Sequence, residues 1–461
     1  MAGVNKAVVG LQWGDEGKGS IIDWESEDSK AVVRYNGGDN AGHTLEYEGK
    51  SFAVHVMPSG IAREHVTSII AQGVLVNPIS FYNEYHTVAR KTGRYLDRDH
   101  LMVSYNAHLI LPQHVVLDAG TSKKTGSSTG RGIWPAASDK VSRIGIRVVD
   151  LLERRALEDK VTKSVDMANV HLSDMDKVKP YDVMKTIEDY GYFLLHFAGN
   201  VKSKLKQLMQ DGSNILFEGA QGTLLDPELG TYPNTTSTYT ARPSVSQVGC
   251  YVPIHKLIGV VKTPMSRVGT GPFPTEWGGT DGSNDCRIPI EGDMEAYGDE
   301  QKDKEFTERL LVKIKCTASN LEWGAYFGHI GKERGATTKR PRRLGCLDTT
   351  LLRYAIDVNG VDELVLTKFD VYSGIPNIPI SDRYFDQWGG EVTNLNDLNN
   401  LGRMRPHVVW LDGWKENIKG ITKWDELPVN AQKYVLEVEK LAGVHIGLVG
   451  TGPDRTNRIL R

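Results

Sequence analysis

Short β-branched runs recur along this chain, and each ends in glycine or a polar turn. AVVGLQ, AVVRYN, FAVHVM, NILFEG, LIGVVK, ELVLTK and HIGLVG have the length and residue type of buried strands. RVVDLLERRALEDKV and YFLLHFAGNVKSKLKQLMQ read as helices lying between them. Strands that alternate with helices predict an α/β domain on a largely parallel sheet. Ligands of such sheets sit at the carboxyl ends of the strands, and most of the unusual residues here fall just after a strand. No linker, internal repeat or low-complexity tract divides the sequence, so residues 1–461 read as one domain. Within it, 278–306 is polar, acidic and rich in turn residues, which predicts a surface excursion rather than core, within a polar acidic stretch near 278–330.

Composition removes several classes. With 39% hydrophobic and 25% charged residues the chain has ample material for a core. A net charge of −3 argues against a dedicated binder of nucleic acid or of a membrane surface. No stretch approaches the apolar length of a membrane helix, and MAGVNKAVVG enters a strand without a signal-peptide pattern. Cys250, Cys286, Cys316 and Cys346 lack C-x-x-C spacing, which fits reduced thiols in a cytoplasmic enzyme.

The densest motif follows the first strand: Gly14-Asp15-Glu16-Gly17-Lys18-Gly19. Its glycines let backbone N–H groups approach an anion, and Lys18 adds positive charge. It fails the P-loop pattern, which would need glycine at Gln12 and a hydroxyl residue at Gly19. A carboxylate at Asp15 repels phosphate unless a divalent cation intervenes or the acid does base chemistry. The plain alternative is a turn with exposed charges. A second glycine loop, Asn36 to Thr44, carries Asn40, Gly42 and His43; the histidine is either an acid or phosphate donor, or structural. A third, Gly126 to Gly132, holds Ser128, Thr129 and Arg131 and is followed by Arg143 and Arg147, a set suited to a phosphomonoester or to a plain loop.

Further along, Phe217-Glu218-Gly219-Ala220-Gln221-Gly222-Thr223 precedes Thr231 to Ser237, which includes Thr236. The Gln221 amide can read a purine edge, or the stretch is a strand end with a helix cap. Gly335-Ala336-Thr337-Thr338-Lys339-Arg340-Pro341-Arg342-Arg343 concentrates cations around a proline, which disfavours a plain helix face and suits a carboxylate site. Thr367-Lys368-Phe369-Asp370 ends a strand. Its aspartate can accept from guanine N1–H and the 2-amino group while the lysine stem covers the base, or it is a helix cap.

In this order, GDEGKG, NAGHT, FEGAQGTLLD, GTYP, RVGTGPFPTE, GATT with its arginines, TKFD and TGPDRT resemble the adenylosuccinate synthetase family, from Val8 to Leu460. The resemblance implies a large central mixed sheet, mostly parallel and surrounded by helices, with a P-loop-like nucleotide site and a homodimer. It implies joining of IMP and L-aspartate with GTP and Mg²⁺. Asp15 would take the N1 proton of IMP and help hold Mg²⁺ with the Gly42 carbonyl, while Lys18 and His43 stabilise the transferring phosphoryl group. Asn40, Thr129, Gln221 and Thr236 would bind IMP, with Arg143 reaching the neighbouring subunit's IMP phosphate. Thr338, Arg340 and Arg342 would hold aspartate. Gly14, Glu16, Gly17, Lys18 and Gly19 would line the GTP phosphates, and Lys368, Asp370, Gly452 and Pro453 its base.

The chain departs from that pattern at Ser20, where the family carries a lysine, at Lys339 and Pro341 in the arginine segment, and at Gly450. One rival keeps the chemistry and changes the acceptor, since a viral branch of the family aminates dGMP; that branch has a small hydroxyl residue where this chain has Asp15. A second rival is a GTP-binding protein without ligase activity, which leaves Gln221, Arg340 and Arg342 without a role.

Overall fold

The computed structural model describes residues 3–47, 49–125, 128–278, 288–297, 299–316, 318–334 and 341–461, with the backbone alone at 44, 46, 122–125 and 294. Ten strands form the main sheet: β1 (Lys6–Gly10), β2 (Ala31–Arg34), β3 (Thr67–Ile70), β4 (Leu101–Ser104), β5 (Ala198–Gly199), β6 (Ile215–Glu218), β7 (Lys256–Lys262), β8 (Glu363–Thr367), β9 (Ile446–Gly450) and β10 (Arg458–Leu460). Their order is β10-β9-β8-β7-β1-β6-β2-β3-β4-β5. The sheet is mixed and mostly parallel, as the alternating pattern predicts, with β10 antiparallel to β9 at one edge.

Backbone contacts group the chain into two compact units built from interleaved segments. The first takes Met1–Val9, Lys18–Gln221 and Thr236–Leu257; the second takes Gly10–Gly17, Gly222–Thr235 and Ile258–Arg461. In the first, Lys6, Ala7 and Val8 pair with Leu216, Phe217 and Glu218, and Ala31 to Arg34 lie between β6 and β3. β2 and β6 are buried on both faces, which is why AVVR and ILFE read as largely apolar runs. The helix Pro78–Thr92 covers part of this sheet. Asn77 caps it, accepting from the Ile79 and Ser80 amides at 3.0 and 3.3 Å, and proline takes the first turn. Its Phe81 meets Phe197 edge-on at 5.7 Å within the core.

In the second unit Ile258 to Lys262 pair with Glu363 to Thr367. A smaller sheet joins Leu347–Asp348, Asn377–Phe385, Glu391–Val392 and Arg405–Asp412. Phe369, Trp414 and Tyr434 pack against one another, with ring centroids 5.0 Å apart for the first pair.

Three expectations need correction. FAVHVM does not begin as a fully buried strand; Lys50–Val54 pairs with His43–Tyr47 as a separate hairpin, with Phe52 and Val54 buried and Ala53 exposed. YFLLHFAGNVKSKLKQLMQ is not one helix, because Ala198–Gly199 pairs with β4 and Asn200 caps a new helix, Val201–Gln210, accepting from Ser203 N–H at 3.1 Å. The excursion is more than surface. Its described part forms the helix Glu300–Ile314, which buries Phe306, Leu310 and Ile314, beside the helix Asn320–Ile330. Those three residues recur at helical spacing and give the otherwise polar helix an apolar stripe. Among the described residues no helix is long and apolar enough to cross a membrane.

Candidate active site

In the second unit the chain leaves β1 and turns back through Gln12 to Gly17. Gln12 anchors the turn to the end of β7: its amide donates to the Lys262 carbonyl at 2.9 Å and accepts the Lys262 N–H at 3.1 Å. Glu16, expected at the nucleotide, is fully buried inside the turn, where its Oε1 accepts the N–H groups of Gln12 and Gly14 at 3.1 and 3.0 Å. A Cβ on Gly222 would lie 2.4 Å from that oxygen, so only glycine leaves room for it. Gly14 and Gly17 have φ of 86° and 89°, and Asp15 itself sits at 59°, a conformation that aspartate tolerates better than most residues. This turn aims the Asp15 carboxylate at Arg342, whose Nε donates to its Oδ2 at 2.7 Å. Two residues assigned to different substrates are thereby in direct contact. Arg340 and Thr338 lie outside the described residues.

The strand β8 carries Lys368 and Asp370 at its carboxyl end. Lys368 is left-handed, with φ of 58°, and is followed by the short helical turn Phe369–Tyr372 that holds Asp370. Burial pushes the Asp370 carboxyl above its ordinary range, opposed by the charges of Lys368 and Lys419. A desolvated acceptor of this kind suits two N–H donors of a base. Gly452 is half-buried and Pro453 exposed, just after β9. Arg267, from RVGTGPFPTE, is fully buried: its Nη2 donates to Thr231 of GTYP at 2.9 Å and its guanidinium lies 4.7 Å from the Trp13 ring centroid. Those two motifs brace the turn.

In the first unit Lys18 opens the helix α1 (Lys18–Glu25) and is 4% exposed. Gly19 lies against His43, where an added Cβ would fall 2.9 Å from the histidine Cβ. His43 is oriented by two residues that the motif reading did not select. Its Nδ1 is 2.8 Å from Ser59 Oγ and 2.8 Å from Glu218 Oε1. Glu218 is fully buried; burial alone would raise its carboxyl, but the hydrogen bond and charge of His43, with Arg34 and the Ser59 amide, hold it below its ordinary value. The available signal was its place in FEGAQG, an acid at the end of an apolar strand.

Asn40 and Gln221 also meet: Gln221 Nε2 donates to Asn40 Oδ1 at 3.0 Å. Gln221 has φ of 56°, and its buried Oε1 has no hydrogen-bond partner among the described residues. A buried amide acceptor left over in this way is the kind of group a ligand satisfies. Gly37, at φ 80°, is what lets it approach, since a Cβ there would lie 3.1 Å from the same oxygen and 2.7 Å from the Ala220 Cβ. Thr129 is exposed on the loop that Asp118 fastens by accepting from Ser128 Oγ and, at 2.7 Å, from Gly132 N–H. Arg143 is exposed and left-handed beyond the helix Ile133–Val141, and Thr236 is half-buried. Gly42 is half-buried just before the hairpin.

A sequence model described as adenylosuccinate synthetase matches residues 7–459. The chain belongs to the adenylosuccinate synthetase family. It is 36% identical over 472 residues to the adenylosuccinate synthetase of Halothermothrix orenii, covering 99% of this chain and 98% of that protein. With a Pseudomonas fluorescens adenylosuccinate synthetase the identity is 37% over 467 residues, with the same coverage. The structure of fully ligated adenylosuccinate synthetase from Plasmodium falciparum is similar over the whole of both chains, with a TM-score of 0.82 and 30% identity. The cyanophage S-2L succinoaminodeoxyadenylate synthetase, bound to dGMP and dATP, shares the fold at a TM-score of 0.55 and 17% identity, over 100% of this chain and 96% of that one. The family resemblance read from the motifs is borne out, and Glu218 and Ser59, which orient His43, are the residues that the structure adds to the set.

Proposed function

We propose that this chain is a GTP-dependent ligase that joins IMP and L-aspartate, giving adenylosuccinate, GDP and phosphate. The observation that carries the reading is the Asp15 carboxylate, built into a glycine turn and aimed at Arg342 in a member of this family. A hypoxanthine O6 is a poor nucleophile until N1 loses its proton. Asp15 takes that proton, and O6 attacks the γ-phosphorus as the bond to the GDP oxygen breaks, giving 6-phosphoryl-IMP. The aspartate amine then adds at C6, and the C6–O bond breaks with release of phosphate.

Lys18 and His43 place positive charge against the transferring group. With His43 Nδ1 turned to Glu218, its Nε2 can donate to a phosphoryl oxygen only from the imidazolium, which that carboxylate balances. Asp370 and the Lys368 stem select guanine. Asn40, Thr129, Gln221 and Thr236 hold IMP, and Arg342, with Thr338 and Arg340, holds aspartate.

Mg²⁺ is the ion that a phosphoryl-transfer site of this kind uses. Among the described residues no cluster of three or more acidic, histidine or cysteine side chains could hold a metal, which fits an ion carried mainly by nucleotide oxygens. The residues we assign to it are Asp15 and the Gly42 carbonyl; bound there, the ion would neutralise charge on the phosphates. The exposed Arg143 supports a homodimer in which it reaches the neighbouring IMP phosphate, and the composition supports a cytoplasmic enzyme. The match across 7–459 and the interleaving of the two units support one catalytic domain.

Oxygen-18 at C6 of IMP tests the phosphorylated intermediate. The label should leave in inorganic phosphate, one atom for each adenylosuccinate formed. Phosphate without the label, alongside product, would rule out attack by O6.

A further inference from the structure

Glu333 lies on the turn after the helix Asn320–Ile330, and its side chain is buried at 6% exposure. Its carboxylate faces two ammonium groups at once. Oε2 accepts from Lys262 Nζ at 2.8 Å, and Oε1 is 3.0 Å from Lys368 Nζ. Lys262 is itself buried, at 1% exposure, and closes β7 beside the Gln12 anchor of the Asp15 turn. Lys368 Nζ also donates to the Gly331 carbonyl. On the main chain, the Glu333 carbonyl accepts the Arg342 N–H at 2.9 Å, and Arg342 is the residue bonded to Asp15. Burial would raise the Glu333 carboxyl, but the two lysines outweigh it and hold it below its ordinary range, so it stays charged.

We infer that Glu333 is a positioning residue, which fixes Lys368 as a cover for the nucleotide base and, through its own backbone, sets the arginine that faces Asp15. The inference rests on the ligase reading for the roles of Lys368 and Arg342. Glu333 and the Gly331 carbonyl hold the Lys368 ammonium, so the methylene stem is what remains to lie on a base. Without that tether the ammonium is free to pair with Asp370, two residues on, and compete with the donors of guanine. Glycine-turn and strand-end motifs give no hint of this acid, which sits one residue before Arg334, amid cations in the sequence.

The test compares wild type with Glu333→Gln and with Glu333→Gln/Lys262→Met, the second removing the buried ammonium that the first leaves unpaired. Calorimetric titration with GTP and with ITP, which lacks the 2-amino group, needs no turnover and is therefore independent of the ligase reading. Steady-state KM values for GTP, IMP and aspartate follow. In both variants GTP binding should weaken by about tenfold or more and the GTP-over-ITP preference should shrink by at least about threefold, the size of one lost hydrogen-bonded contact. Losing the side-chain anchor frees the turn that carries the Glu333 carbonyl, so the KM for aspartate should rise while that for IMP stays within about twofold. Glu333→Asp should recover part of the GTP affinity. Wild-type GTP affinity and preference in the double variant, or a uniform fall in kcat with every KM unchanged, would overturn the inference. If wild type binds GTP but makes no adenylosuccinate, the ligase reading fails while the calorimetric comparison still decides the role of Glu333 at the base.

Discussion

Asp15 is held in a left-handed turn by a buried glutamate and is bonded to an arginine, so its position is fixed before any substrate arrives. A base fixed in this way should be worth most in the chemical step and little in binding GTP. Asp15→Asn keeps the shape of the side chain and should lower the rate of adenylosuccinate formation by roughly 10²–10⁴-fold. Its GTP affinity should stay within about threefold of wild type, because the backbone amides of the turn remain. Single-turnover product formation and calorimetric GTP binding check the two halves. A variant that keeps more than about a tenth of the wild-type rate would remove Asp15 from proton transfer. Asp15, Gln221 and Asp370 were legible in the sequence as candidates, because each is a polar group placed against the grain of its motif. Glu218 and Glu333 were not, since a buried acid gains its role from partners distant in sequence: Ser59 and His43 for one, Lys262 and Lys368 for the other.

At the scale of elements, strand runs of strong β-branched character were legible and weaker ones were not. AVVG, ILFE and ELVLT lie in the main sheet, whereas Thr67–Ile70 and Leu101–Ser104, which mix hydroxyl residues with apolar ones, do not stand out, and Ala198–Gly199 is a strand only because β4 offers it a partner. FAVHVM has strand character, but sequence alone could not say which partner it would take. One element carries a measurable burden. Asp348 caps the helix Thr349–Asn359, accepting from the Thr350 and Leu351 amides at 3.1 and 3.0 Å and from the Tyr384 hydroxyl. Complete burial still pushes its carboxyl from an ordinary 3.8 up to about 6. A carboxyl whose folded value is raised contributes stability that is present below about pH 4 and is lost as pH rises through about 6. Asparagine keeps the cap and does not titrate. The stability of wild type relative to Asp348→Asn should therefore be greater at about pH 4.5 than at about pH 7, by on the order of 1–3 kcal/mol. Urea unfolding at the two pH values measures it. A difference that does not change with pH would mean that Asp348 keeps an ordinary carboxyl in the fold.

For the whole molecule, the division between the two units falls inside the motifs themselves, after Gly17 in GDEGKG and after Gln221 in FEGAQG. That is why the motifs were legible as a set while their grouping was not. Each motif is local, but each unit takes three separate segments, and the long segment Lys18–Gln221 of the first lies between Gly17 and Gly222 of the second. The family is fixed by the match over 7–459, and the choice of acceptor is the claim on which the account turns. IMP carries only hydrogen at C2, so its N1–H can face the Asp15 carboxylate directly. A guanine acceptor would donate to that carboxylate from its 2-amino group as well as N1–H, a pairing that draws the ring from the geometry of attack, and a displacement of about 1 Å can cost roughly 10²-fold in rate. The most direct measurement is the kcat/KM for IMP and for dGMP, side by side, with GTP, Mg²⁺ and L-aspartate, following the succino-nucleotide by mass. IMP should be preferred by at least roughly 10²-fold. Equal or faster conversion of dGMP would contradict it.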